Sequence, residues 1–274
     1  MTKMLTSILF LAVVMTGCAA WLPQAQQKQS GSVVDYLYGN KAEPTMKPET
    51  TTLKLPVRVG IAFVPSASWN RSGIPEAEQM RMLNKVKDAF EKHAFIGGIE
   101  VIPNAYLRPN GGFTNLEQAA RMFNVDVVAL LSYDQVQFND SNALSVLYWT
   151  IIGAYLIHGD QYDVQTMLEA AVFDVASHKL LFRAPGTSSV KGSAAMATFS
   201  ERARTARLEG YNQALEQLIP NLQKELDGFR QRVKSDATVR VEHRPGYRGG
   251  GAMDGLLLFV TLLLGLLVRR VRAT

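Results

Sequence analysis

The only cysteine in this 274-residue chain is Cys18, so thiol chemistry has one place to occur. It follows Lys3 and a mainly apolar run from Leu5 to Met15, the pattern of an export signal that takes it out of the cytoplasm. A lone cysteine has no partner for an internal disulfide, and outside the cytoplasm a free thiol is a liability unless it is modified. Two readings follow: a sulfur that carries a covalent group, or a structural cysteine buried behind a plain signal peptide. Other chemistry-bearing residues are scattered. His93, His158, His178 and His243 lack metal-ligand spacing and read as helix-face, loop, turn and tail positions. Asp134 with Asp140, or Asp160 with Asp163, have the residue types for acid–base work or for holding a cation, though solvated loops account for them more simply. Met80, Met82 and Met122 read as core filling rather than a copper site. Arg202, Arg204 and Arg207 open the last helix as a solvated face, with contact to lipid phosphate as the alternative. The sequence has no Gly-x-Ser-x-Gly elbow, no Gly-x-x-x-x-Gly-Lys loop and no Gly-x-Gly-x-x-Gly turn. It therefore predicts no catalytic, metal or cofactor site.

The other end of the chain carries a second chemical signal. Gly249, Gly250 and Gly251 precede Asp254, a run from Gly255 to Val268 that is almost wholly apolar, and then Arg269, Arg270 and Arg272. As a helix, the 14 residues of the apolar run span about 21 Å at ~1.5 Å per residue. That undershoots a bilayer core of about 30 Å. The span is reached only by counting back through the glycines, each of which weakens a helix by about 1 kcal/mol. The arginine balance predicts a cytoplasmic C-terminus, with the body of the protein on the other side. The glycines are where a membrane-embedded chain unwinds most easily and exposes a peptide bond.

Both ends resemble known sorting signals. Met15-Thr16-Gly17-Cys18 resembles a lipobox, with Met15 where Leu is commoner. The resemblance implies diacylglyceryl transfer to the Cys18 sulfur and cleavage before it by lipoprotein processing enzymes. Ala19, rather than Asp, implies delivery to the outer membrane. The glycine triplet, short apolar helix and arginine-rich end resemble the GlyGly-CTERM signal, whose partner is rhombosortase, a rhomboid-type intramembrane protease. This implies cleavage within Gly249 to Gly251; an ordinary C-terminal membrane anchor is the alternative. The formal net charge of +5 and pI of 9.3 owe much to these ends. Without them the balance is small, which gives no case for nucleic acid as a partner.

Between the signal peptide (1–17) and the tail (249–274), composition marks 18–52 as a tether and docking segment, 53–235 as the domain and 236–248 as a linker. Val33 to Gly39 is an apolar patch expected to dock on the domain. A buried strand is predicted within Pro56 to Pro65, and a helix opening at Pro75 that Gly97-Gly98 stops. A strand at Ile99 to Ile102 follows, then a short helix behind a capping box at Thr114 to Glu117. Val125 to Tyr133 is the most apolar strand candidate and should be central. Val164 to Val175 and Lys179 to Ala184 read as a hairpin. From about Ser200 a long helix follows, kinked at Pro220. This order predicts an α+β fold, one sheet with helices packed on it. It is similar to the N-terminal domain of periplasmic TolB and to curli-secretion-type lipoproteins. The stronger resemblance is to the rhombotarget lipoprotein family, through the lipobox, Asp35-Tyr-Leu-Tyr38, Val59-Gly-Ile-Ala-Phe-Val-Pro65, Tyr148-Trp-Thr-Ile-Ile-Gly-Ala-Tyr155 and the glycine tail. That family implies sorting and location, and supplies no activity.

The apolar insert Ala143 to Ile157 is too apolar for a solvated loop and too short to span a membrane. Leu147, Tyr148, Trp149, Ile151, Ile152 and Tyr155 could be buried in the domain core, against another copy of the chain, or at a membrane surface, where the aromatic side chains would suit the interface. The sequence thus predicts a non-enzymatic envelope lipoprotein acting as a structural or interaction module, with membrane lipid and a homo-oligomer as candidate partners. An envelope hydrolase with an unrecognised site is the competing reading.

Overall fold

Strands buried on both faces need apolar residues at every position, and Val57-Arg-Val-Gly-Ile-Ala-Phe63 comes close to meeting that demand. In the computed structural model, which describes residues 26–39, 50–66, 74–141, 160–236 and 238–245, this segment is β3. In chain order the elements are β1 (Gln26–Gly31), α1 (Val33–Leu37), β2 (Thr51–Leu55), β3 (Val57–Phe63), α2 (Glu76–Phe90), β4 (Ile96–Val101), α3 (Gly112–Phe123), β5 (Val127–Ser141), β6 (Asp160–Asp174), β7 (Leu180–Ala194), α4 (Phe199–Val233) and β8 (Val239–His243). Short 3-10 turns sit at Asn104–Tyr106 and Met196–Thr198.

The fold is α+β. A six-stranded sheet runs β4-β3-β5-β6-β7, with β1 pairing with β5, and β2 and β8 form a separate two-stranded sheet. β3 is parallel to both β4 and β5. The chain therefore crosses from β3 to β4 in one direction and returns past β3 to reach β5. With crossovers of a single hand, such a reversal puts the two connecting helices on opposite faces. The core is divided accordingly. Ile61, Phe63, Val127, Ala129, Leu131 and Val172 pack with α2 and α4 on one face. Ala62, Val64, Val128, Leu130 and Phe173 pack with α1 and α3 on the other.

Several expectations are corrected at the element level. α2 ends at Phe90, and Gly97 and Gly98 lie inside β4. A Cβ on Gly97 would come within 3.3 Å of the Pro56 ring and carbonyl, so glycine there permits a close approach rather than ending a helix. α3 begins at Gly112, two residues ahead of the expected cap, which leaves Thr114 inside the helix. The Glu117 carboxylate is used elsewhere, 2.8 Å from His178 Nε2. Residues read as tether or linker form strands: β1, and the parallel β2/β8 pair that aligns Thr51 with Val239 and Leu55 with His243. The hairpin strands are longer than expected, and α4 continues through Pro220. Met122 lies on the surface, 66% exposed, whereas Met82 is fully buried.

The apolar patch at Val33 to Gly39 does dock. Ser32 caps α1 by accepting from the Asp35 N–H. Tyr36 and Leu37 are buried, and the Tyr36 hydroxyl donates to Asn115 Oδ1 at 3.2 Å. Burial pushes that phenol far above its ordinary pKa.

Contacts divide the chain into two compact units, and the elements above are mainly those of the larger one. The smaller holds, among the described residues, 26–28, 135–141, 160–165 and 189–210. Inside it Gln135 and Gln137 are buried polar residues of β5. Arg207 serves both: Gln135 Nε2 donates to the Arg207 carbonyl at 3.0 Å, and Arg207 Nη1 donates to Gln137 Oε1 at 2.6 Å, while Gln137 Nε2 donates to Asn139 Oδ1.

In the larger unit β7 ends the sheet, and its exposed edge is handled by α4. Gln217 Oε1 accepts from the Thr187 N–H, and Asn221 Nδ2 donates to the Pro185 carbonyl, both at 2.8 Å. A Cβ on Gly186 would stand 2.1 Å from the Ala214 carbonyl oxygen, so only glycine lets strand and helix meet. Gly186→Ala is expected to force them apart and cost about 1–3 kcal/mol, the usual range for overpacking. Chemical denaturation of the two proteins checks this; equal midpoints would show that the contact is not needed.

Candidate functional site: an apolar cavity with a cationic rim

Protein interiors pack to a density of about 0.75 and leave few voids larger than a water molecule. The larger unit departs from this at a cavity of about 1180 Å³. Its floor is the α2/α4 face of the sheet near the amino ends of β3 and β5, where Val57, Val59, Val127 and Ala129 are short side chains. Val172, Leu181 and Phe182 continue the floor onto β6 and β7. Leu222, Leu226, Phe229 and Val233, at helical spacing on the last turns of α4, form one wall. Phe90 ends α2, and Ala94, Phe95 and Ile96 after it supply another. Leu53 and Leu55 of β2 with Val241 and His243 of β8 close the remaining side.

Polar groups are confined to the end of α4 and the tip of β8: Asp227, Arg230, Gln231, Lys234 and His243. Arg230 lies with its guanidinium carbon 4.8 Å from the centre of the Phe95 ring and its Nη1 3.5 Å from Asp227 Oδ1. Asp227 also accepts from Gln223 Nε2 at 3.2 Å. The remaining polar partner here is His93, whose Nε2 is 3.0 Å from Gln223 Oε1 and whose ring stacks on Phe95.

One ion cluster ties the β2/β8 wall to the sheet. Asp126, just ahead of β5, receives Arg58 Nη2 on Oδ1 at 2.9 Å and Arg244 Nη2 on Oδ2 at 2.6 Å. Arg58 also reaches Asn124 Oδ1. The backbone reinforces the link: Asp126 N–H donates to the Arg58 carbonyl, and Arg244 N–H to the Leu55 carbonyl. Burial alone would push the Asp126 carboxyl up; hydrogen bonds from Arg58 and the charges of Arg58 and Arg244 outweigh it and hold the group below its ordinary range.

Cys18, Gly249, Gly250, Gly251 and the insert residues Leu147, Tyr148, Trp149, Ile151, Ile152 and Tyr155 lie outside the described residues. His178 occupies the turn expected of it, stacked on Phe113 at 4.1 Å. His243 is in a strand, where a tail was expected. Asp134 and Asp140 belong to β5, and Asp160 and Asp163 to β6, rather than to loops. Asp163 is 3.2 Å from Lys191 Nζ. Arg202 and Arg204 are exposed as expected, but Arg207 is half-buried and spent on Gln137. Among the described residues no three His, Cys, Asp or Glu side chains are grouped to hold a metal, and no helix is long and apolar enough to cross a membrane. Sequence reading missed both the cavity and the cluster. For the cluster a signal existed, since Arg58 and Asp126 are isolated charges beside or within two apolar strands.

No family model and no curated protein matches this sequence. Among solved structures, a PelC dodecamer from Paraburkholderia phytofirmans is 11% identical, with 72% of this chain and 96% of that one covered, at a TM-score of 0.25. A neuraminyllactose-binding hemagglutinin homolog from Helicobacter pylori is 10% identical over 73% of this chain and 98% of that one, at 0.38. A lipoprotein from Neisseria meningitidis is 13% identical over 57% and 96%, at 0.22. Likeness at this level carries no argument about ligand or activity.

The Asp126 cluster makes a pH-dependent prediction. A carboxyl whose folded pKa lies below its unfolded value of about 3.9 contributes stability above that value, and the contribution is lost as pH falls through the folded pKa. Asp126→Asn is expected to cost about 1–3 kcal/mol at neutral pH and to flatten the fall in Tm below about pH 4. Thermal melts of both proteins across that range check it; parallel Tm curves would show that Asp126 contributes nothing.

Proposed function

We propose that this chain is a non-enzymatic envelope lipoprotein whose α+β domain works by binding. The observation that carries the reading is the cavity: its floor and walls are aliphatic and aromatic side chains, and its lining brings no Ser, Thr or Cys beside a base. Catalysis of acyl or phosphoryl transfer needs such groups in hydrogen-bond reach of a reacting atom. A site of this composition is suited to holding an apolar ligand.

The sorting signals supply location. In this proposal Cys18 carries the lipid anchor, residues 19–25 belong to the tether, and rhombosortase cuts at Gly249 to Gly251, which frees the protein for the outer membrane or cell surface. An N-terminal lipid in the outer membrane is hard to reconcile with a C-terminal helix kept in the inner one, so each signal gives the other its purpose. Leu147, Tyr148, Trp149, Ile151, Ile152 and Tyr155 would add a contact with membrane lipid or with a second copy of the chain.

Each part has its own measurement. Metabolic labelling with an alkyne fatty acid should mark the wild type and not Cys18→Ser; equal labelling removes the lipid anchor from the proposal. Mass spectrometry of protein extracted from the outer membrane should find a C-terminus near Gly249 to Gly251, and an intact Thr274 there would falsify the sorting step. Turnover of peptidoglycan, phospholipid or ester substrates, abolished by a single change in one cleft, would replace the binding module with a hydrolase.

A further inference from the structure

We infer that the cavity of the larger unit holds the acyl chain of an amphiphile whose anionic head group sits at the Arg230 and Lys234 rim. The inference rests on the binding-module reading and names its ligand class.

Size is the first argument. At about 1180 Å³ the cavity is larger than the roughly 300–1,000 Å³ of ordinary small-molecule sites. Water is a poor filler, because a water needs two to four polar partners and the floor and walls offer hydrocarbon. Left empty, such a volume forfeits the contacts that its lining would otherwise make. The half-buried state of Val57 and Val59 shows the deficit directly: they stand on an interior strand of the sheet, pointing to the face that carries the core.

Polarity is the second. Hydrocarbon lines the floor and walls, and charge appears only at the end of α4. Of the charged side chains there, Asp227 is the single carboxylate, and it is already engaged by Arg230 and Gln223. Lys234 makes no ion pair among the described residues and is exposed. The net field at the rim is therefore positive. An apolar body with one anionic end matches this division, as a fatty acid or an anionic phospholipid does. An extended peptide does not match it, since peptide N–H and C=O groups need partners that this lining lacks.

Full-length protein in intact cells fed a diazirine-bearing palmitate gives the test. After irradiation, crosslinked peptides are mapped by mass spectrometry. Adducts are expected on the β3, β7 and α4 segments that line the cavity. Arg230→Glu combined with Lys234→Glu changes two exposed positions and should lower adduct yield about tenfold, a loss of ~1.4 kcal/mol. Ala129→Phe, which fills the floor, should lower it at least as far while the protein still accumulates in the envelope. Adducts confined to the peptide that bears Cys18, or absent, overturn the inference. So does an unchanged yield in both variants, or crosslinks that join two copies of the chain across this face. None of these outcomes involves substrate turnover, so failure here is separable from failure of the non-enzymatic reading.

Discussion

Burial of β3 and β5 on both faces is the constraint from which the larger unit follows. A parallel strand can be reached only through a crossover, and two crossovers in opposite directions commit one helical layer to each face. From Ile61 to Val64 and from Val127 to Leu131 the side chains are accordingly apolar without a break. Charge is pushed to the strand beginnings, and there Arg58 and Asp126 find each other. The pair is partly desolvated, with side chains 33% and 28% exposed, so the bond is stronger than a surface ion pair but avoids the full cost of a buried one.

The same constraint locates the cavity. In open α/β sheets with a strand-order reversal, ligands commonly lie outside the carboxyl ends of the strands, where loops bring in polar groups. Here the hollow lies at the amino ends of β3 and β5, between the sheet and the end of α4. Among the described residues, the loop between α2 and β4 brings it only the apolar Ala94 and Phe95. Its chemistry is that of a core face left incompletely filled, and the two-stranded sheet acts as an outer wall.

What the sequence made legible is what is periodic or locally continuous. The central strand, the long last helix and the docking of Tyr36 could be read because apolar spacing records burial directly. β2 and β8 could not. Thr51-Thr-Leu-Lys-Leu55 sits among prolines and charges, and Val239-Arg-Val-Glu-His243 alternates apolar and charged residues within a polar stretch. Each becomes a strand by pairing with the other, a fact held by neither segment alone. The cap of α3 misled for a related reason. Thr114 and Glu117 have capping-box spacing, but His178, distant in sequence, takes the carboxylate. The cavity leaves no local trace either, because its lining residues have the same types as the packed core around it.

The pairing of β2 with β8 also sets an order of events. Its partners, such as Thr51 and Val239, lie near opposite ends of the domain sequence, and contacts of such separation form late because the intervening chain must first be ordered. β8 is also among the last described elements to leave the ribosome or a translocation channel. Until it arrives, β2 has no ladder, Arg244 cannot reach Asp126, and the hydrocarbon floor between sheet and α4 lies open on one side. The nascent protein thus passes through a stage in which this apolar floor lacks one of its walls, and the arrival of one short strand supplies it.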